Sequence, residues 1–185
     1  FDLAALCFEG EQSELSLTAN AQPALLTTSI ACLVVLKSET SLIPDFVAGH
    51  SLGEYTALVA NGAMSLSDAV KTVRKRGEFM QEAVPVGIGA MAAVLGLDKE
   101  KVEDICNRVS QNGLIASPAN LNAPGQTVIS GNTQAIEEAS SIAKTEGAKR
   151  VVPLDVSAPF HCALMEPAAQ RLSEVLNEVN IREMN

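Results

Sequence analysis

A serine framed by glycines two positions away on each side, Gly49-His50-Ser51-Leu52-Gly53, is the stretch of this sequence best suited to chemistry. A short apolar run, Phe46 to Ala48, precedes it, and helix-forming residues follow to about Ala60. Strand, tight turn and helix in that order predict an elbow that strains the backbone at its apex and exposes the Ser51 hydroxyl. The flanking glycines are expected to let strand and helix approach. The Leu52 N–H falls at a helix N-terminus, where developing negative charge is stabilised. A serine capping a helix after a glycine turn is the plainer reading; the apolar run before it and the helix after it favour a nucleophile.

A serine nucleophile needs a base, and histidine is the usual one near neutral pH. The chain has two histidines. His50 adjoins Ser51, and neighbouring side chains on such a turn point apart. That leaves His161, in Ser157-Ala158-Pro159-Phe160-His161-Cys162, on a loop or helix start just after a strand. Taken alone it would pass for a packing histidine. Asp155 is too close in sequence to be its obvious orienting partner, and no other acid after the elbow stands out as a triad member, which counts against an ordinary hydrolase.

The elements that must hold these residues follow from periodicity. Phe1 to Phe8 has helical spacing, Glu9 to Asn20 reads as a polar loop, and a long helix runs from Ala21 to about Leu36 with Pro23 in its first turn. That helix is apolar nearly all round, predicting burial under a sheet. Ser65-Leu66-Ser67-Asp68 reads as a capping box opening a helix to about Val84. Its apolar face carries Leu66, Val70, Val73, Gly77 and Met80. Arg74 and Arg76 flank that stripe, and spacing does not say which leans into a cleft.

From Ala90 the pattern changes. Strands are predicted over 90–95, 114–117, 127–130 and 150–154, and helices over 98–110 and 133–146. This β-α-β-β-α-β order is the ferredoxin-like unit. Asn120 to Gly125 reads as a turn-rich connection, with Asn122 open to ordinary turn chemistry. The predicted architecture is an α/β protein, with a hydrolase-like layer formed by 1–88 and 153–185 and a ferredoxin-like subdomain inserted at 89–152.

Composition narrows the function. The chain has 185 residues and is 47 % apolar, enough for a real core. A net charge of −9 argues against nucleic-acid binding. The longest apolar runs, such as Ile30 to Leu36, fall short of a membrane span, and no basic-then-apolar leader opens the sequence. Cys7, Cys32, Cys106 and Cys162 lack metal-ligand spacing and predict buried thiols in a reducing cytosol. Val86-Gly87-Ile88-Gly89 lacks the rest of a dinucleotide fingerprint, so neither a metal nor a cofactor is expected.

Four segments carry a family resemblance. Gly49-His50-Ser51-Leu52-Gly53-Glu54-Tyr55 resembles the active-site motif of malonyl-CoA:acyl carrier protein transacylases. Arg74-Lys75-Arg76-Gly77-Glu78-Phe79-Met80-Gln81 is similar to that family's arginine-bearing helix. Asn120-Leu121-Asn122-Ala123-Pro124-Gly125-Gln126 and Pro159-Phe160-His161-Cys162-Ala163-Leu164-Met165 match two further motifs, all in the family's order. The resemblance implies Ser51 as nucleophile, His161 as base and Arg76, rather than Arg74, as the arginine that holds the malonyl carboxylate. It places His50 and Asn122 near the substrate and implies that a backbone carbonyl, not an acid, orients the histidine. It implies malonyl-CoA as substrate (coenzyme A is no resident cofactor), acyl carrier protein as partner and fatty acid biosynthesis in a bacterial cytosol or plastid. Phe160 is the residue type that accompanies malonyl rather than methylmalonyl preference in related domains, because a ring there crowds the substrate's α-carbon.

The family also begins with a strand and a Gly-Gln-Gly-type loop whose glutamine N–H completes the oxyanion hole, and it continues well past Asn185, into the strand and loop that hold the histidine. The sequence is therefore expected to be the middle of such an enzyme. Alternatives are a serine thioesterase or esterase, the acyltransferase domain of a polyketide synthase, and a catalytically silent carrier-binding fragment. Lys71, Arg74 and Lys75 form a candidate basic patch for an acidic carrier, or an ordinary solvated helix face.

Overall fold

The computed structural model describes residues 1–85, 87–111 and 113–183. The chain is a mixed α/β protein that divides into two compact units, Phe1–Phe79 with Gln170–Asn185, and Met80–Ala169. The second unit takes in residues on both sides of the predicted insertion at 89–152. Val86, the first residue of the Val86-Gly87-Ile88-Gly89 segment, lies outside the described residues.

The first unit is helical. It contains α1 (Leu3–Glu9), α2 (Gln12–Leu15), α3 (Thr18–Glu39) and α4 (Gly53–Ala60), most of α5 (Leu66–Ala83), and the C-terminal part of a helix that begins at Glu166. The predicted loop over Glu9 to Asn20 is mostly helical. Polar residues hid α2 from a periodicity argument, and α3 starts three residues early, so that Pro23 lies inside the helix rather than in its first turn.

Ser65 caps α5 as predicted: its Oγ accepts from the Asp68 N–H at 3.0 Å and its hydroxyl donates to the Asp68 carboxylate at 2.7 Å. The buried stripe of α5 carries Ala69, Thr72, Val73, Gly77 and Met80, whereas the predicted Leu66 is 40 % exposed in the first turn. Leu26 and Ile30 of α3 meet Met64, Ala69 and Val73 in one apolar core. Gly77 permits this approach. A Cβ there would sit 2.5 Å from the Ala19 Cα and 2.6 Å from the Thr18 carbonyl oxygen.

Two expectations for α3 are corrected. It is not buried all round: Leu25, Val34, Val35 and Leu36 are exposed, and so is Cys32, so the cysteines are free thiols but not all buried. The helix is also long and apolar enough to cross a membrane by length and composition, because threonines and serines link its apolar runs into 22 residues. Its opposite face, with Gln22, Leu26 and Ile30, is buried in the unit.

The predicted strand over Phe46 to Ala48 is not formed. Residues 46–49 have no regular structure, and Phe46 is 93 % exposed. A strand exists only through a partner's hydrogen bonds, and the one sheet among the described residues lies in the other unit.

That unit has the element order β1 (Gly89–Leu95), α6 (Lys99–Val109), β2 (Ala116–Ala123), β3 (Gln126–Asn132), α7 (Thr133–Thr145) and β4 (Arg150–Pro153). The strands form an antiparallel sheet in the order β2-β3-β1-β4. Val102, Ile105 and Cys106 of α6 and Ala135, Ile136 and Ala139 of α7 pack with Ala92, Val94 and Ile129. Burial in that core pushes the Cys106 thiol up to about 12, which makes it inert. The Asn120–Gly125 connection is shorter than predicted: β2 continues to Ala123, and only Pro124-Gly125 turns. The unit ends with a 3-10 turn (Ala163–Met165) and the start of α8 (Glu166–Glu178), whose first turn accommodates Pro167.

Candidate active site

Ser51 stands at the apex of a turn from irregular chain into α4 with φ 52, a left-handed conformation that a side chain makes costly. The turn closes through backbone hydrogen bonds from Gly53 N–H to His50 C=O (2.9 Å), Glu54 N–H to Ser51 C=O (3.3 Å) and Tyr55 N–H to Leu52 C=O (3.0 Å). Gly49 is obligatory, since a Cβ there would fall 1.8 Å from the Gly53 carbonyl carbon. Gly53 is not required in the same way, because a Cβ there meets nothing within 4 Å. Only one of the two framing glycines therefore serves close approach. Leu52 is the residue before α4, so its N–H lies at that helix's N-terminus. His50 is exposed.

Helix α5 decides between its two arginines. Arg74 is occupied structurally: its Nε donates to Glu78 at 2.7 Å, its Nη1 to the Ala19 carbonyl at 3.0 Å and to the Asn20 side chain, and its guanidinium stacks on Phe1. It is thus no free member of a basic patch, unlike the exposed Lys71 and Lys75. Arg76 reaches the elbow. Its Nη2 donates to Ser51 Oγ at 3.1 Å, its Nη1 donates to Gln22 Oε1 at 2.6 Å, and its guanidinium lies 5.8 Å from the Tyr55 ring centroid.

Burial pushes the Arg76 guanidinium below its usual value, opposed by Tyr55 and Glu54, yet arginine stays cationic near neutral pH. The Tyr55 phenol is raised, first by burial, then lowered by Arg76 and raised by Glu54. Gln22 is the residue sequence reasoning missed. It lies 54 positions from Arg76, and the only local signal was a polar side chain on the inner face of an apolar helix.

The remaining predicted site residues belong to the other unit. His161 has φ 59, and with Ser51 it is one of two non-glycine residues at positive φ among the described residues. Its loop is held tightly within its own unit. Gln81 Nε2 donates to the Ser157 carbonyl at 3.1 Å, and the Cys162 thiol donates to the Pro159 carbonyl at 3.2 Å. Pro159 is fully buried against Gly89, where a Cβ would come within 2.2 Å of the proline ring. Phe160, between the two anchors, is half-buried. Asn122 is not in a turn. It sits exposed near the end of β2, where the register with β3 slips between Leu121 and Ala123, and such a bulge re-aims a side chain.

The arrangement offers a half-buried hydroxyl at a turn apex, a fixed cation beside it and a helix N-terminus for negative charge, which suits acyl transfer from a carboxylate-bearing donor. Comparison with known proteins agrees in kind. An acyl transferase domain model matches residues 1–185. The chain is 59 % identical over 181 residues to the malonyl CoA-acyl carrier protein transacylase of Bacillus subtilis, covering 98 % of this chain and 57 % of that protein. It is 50 % identical over 183 residues to the enzyme of that name from Staphylococcus aureus, covering 99 % and 58 %. It superposes with TM-score 0.96 on the Coxiella burnetii malonyl CoA-acyl carrier protein transacylase, at 47 % identity over all of this chain and 58 % of that one. A malonyl-transacylase solved in complex with a type II polyketide acyl carrier protein gives TM-score 0.95 at 47 % identity, over all of this chain and 59 % of that one. The chain thus spans a little under three fifths of the length of the relatives it matches. It belongs to the acyl transferase domain family.

Proposed function

We propose that the protein moves a malonyl group from coenzyme A to the phosphopantetheine thiol of acyl carrier protein, through an ester on Ser51. The observation that carries this reading is the 3.1 Å contact of Arg76 with Ser51. A partly buried cation whose hydrogen bonds, among the described residues, go to neutral oxygens of Gln22 and Ser51 is complementary to an acyl group ending in a carboxylate. Relatives bearing the transacylase name support the same assignment.

In the first step His161 takes the Ser51 proton and Oγ attacks the thioester carbonyl. The Leu52 N–H faces the resulting oxyanion. The carbon–sulfur bond then breaks, and the departing coenzyme A thiolate takes the proton back from His161. The carrier thiol reverses these steps: it gives its proton to His161, attacks the ester, and Ser51 leaves as the alcohol. Arg76 holds the malonyl carboxylate throughout, with His50 and Asn122 lining the substrate. No metal or resident cofactor enters this scheme.

The sheet order β2-β3-β1-β4 with two helices on one face supports reading 89–152 as a ferredoxin-like subdomain, inserted in a hydrolase-like α/β layer formed by 1–88 and 153–185. Free thiols at all four cysteines support a reducing compartment, bacterial cytosol or plastid.

The test uses the full-length protein with malonyl-CoA and phosphopantetheinylated carrier. Malonyl-carrier forming faster than free malonate supports transfer. Hydrolysis outpacing transfer selects the thioesterase reading, and carrier binding without loading selects the silent fragment. Phe160→Ser is expected to raise kcat/KM for methylmalonyl-CoA relative to malonyl-CoA about tenfold, the scale set by one methyl group in a pocket. An unchanged ratio in a competition assay removes Phe160 from substrate selection.

A further inference from the structure

We propose that Gln22 and Thr18 are positioning residues that set acyl selectivity by holding Arg76 beside Ser51 without neutralising it; this rests on the reading of Arg76 as the carboxylate-binding group. Gln22 is only 6 % exposed, on an inner face of α3 that otherwise buries Pro23, Ala24, Leu26 and Ile30 together with Thr18. Burying an amide is costly unless both its ends are satisfied. Here its Nε2 donates to Thr18 Oγ1 at 2.8 Å, one helical turn back, and its Oε1 accepts from Arg76 Nη1 at 2.6 Å. The reversed amide would turn N–H donors on the guanidinium, which has only donors to offer. Thr18 and Arg76 therefore agree on one orientation, with the carbonyl toward the cation.

The neutrality of that carbonyl is the selective element. A carboxylate is the common partner of a buried arginine, and one at position 22 would satisfy Arg76 with a resident anion. The amide fixes Nη1 and leaves the charge for an incoming carboxylate at the Nη2 side, where Ser51 stands. The Tyr55 ring, 5.8 Å from the guanidinium, is uncharged as well, and the nearby Glu54 carboxylate acts on Arg76 without forming a salt bridge among the described residues. The helix register that lets Gln22 reach Arg76 is set next door, where Gly77 admits the Thr18 carbonyl to within 2.6 Å of its Cβ position.

The test measures kcat and KM of the full-length protein with malonyl-CoA and acetyl-CoA, for wild type, Gln22→Glu, Thr18→Val and Thr18→Ser, with thermal midpoints alongside. Gln22→Glu is expected to lower the malonyl-to-acetyl ratio of kcat/KM at least about tenfold, chiefly through malonyl KM. Thr18→Val, which keeps the shape and removes the acceptor, is expected to lower the ratio in the same direction by less. Thr18→Ser should restore it. Both substrates falling together in Gln22→Glu would show a merely structural role and overturn the proposal. Should Gln22→Glu fail to fold, the threonine pair decides: a ratio in Thr18→Val equal to that of Thr18→Ser overturns it. A wild type without preference for malonyl would instead sink the reading of Arg76 itself.

Discussion

Replacing Arg76 by alanine is expected to lower kcat/KM for malonyl-CoA about a thousandfold while acetyl-CoA loses less than about tenfold. The asymmetry follows from what the guanidinium contacts. Its Nη2 is 3.1 Å from the nucleophile, so any acyl group on Ser51 lies against it, but only one with a free carboxylate forms a charge-assisted pair. Burial strengthens that pair by keeping water from competing. Lysine is a poor substitute. Arg76 needs one nitrogen for Gln22 and another for the substrate, and an ammonium lacks that planar fork. Arg76→Lys should therefore cost malonyl transfer far more than Arg74→Lys, because Arg74 is spent on Glu78, Ala19 and Asn20. Steady-state kinetics with both thioesters check this, and equal effects of the two lysine variants would remove Arg76 from its role.

The second large effect is expected at His161. His161→Asn should slow acylation of Ser51 about a thousandfold, the middle of the range for losing a general base. Asparagine is the informative replacement because it tolerates the left-handed backbone at φ 59 better than alanine does. The loop itself should survive, since Gln81 and the Pro159–Gly89 contact hold it independently of the imidazole. Rapid-quench measurement of acyl-enzyme formation isolates the step. A variant that loads at the wild-type rate would exclude His161 as base.

What the sequence disclosed is what short-range chemistry determines. The elbow was legible because its glycine, serine and helix signals lie within a dozen residues, and the strained φ at Ser51 follows from that turn. The β-α-β-β-α-β order was legible because periodicity switches locally between two and 3.6 residues. Features that depend on distant partners were not. The Phe46–Ala48 run has strand composition but no ladder among the described residues. Asn122 carries turn residues on both sides, yet pairing with β3 draws it into a bulged strand. The choice between Arg74 and Arg76 could not be made from spacing, because both flank one stripe; Asn20 and Gln22, two residues apart on α3, hold one arginine each, and of the two arginines it is Arg76 that also reaches Ser51. The exposed outer side of α3 was invisible for the same reason: its leucines and valines look like core until a partner is sought.

The most direct measurement is the mass and position of the acyl group on the full-length protein after brief exposure to malonyl-CoA. The account predicts one malonyl adduct, mapped to Ser51 as an ester and absent from Ser51→Ala. An adduct that persists in Ser51→Ala, or maps as a thioester to the exposed Cys32, would contradict it.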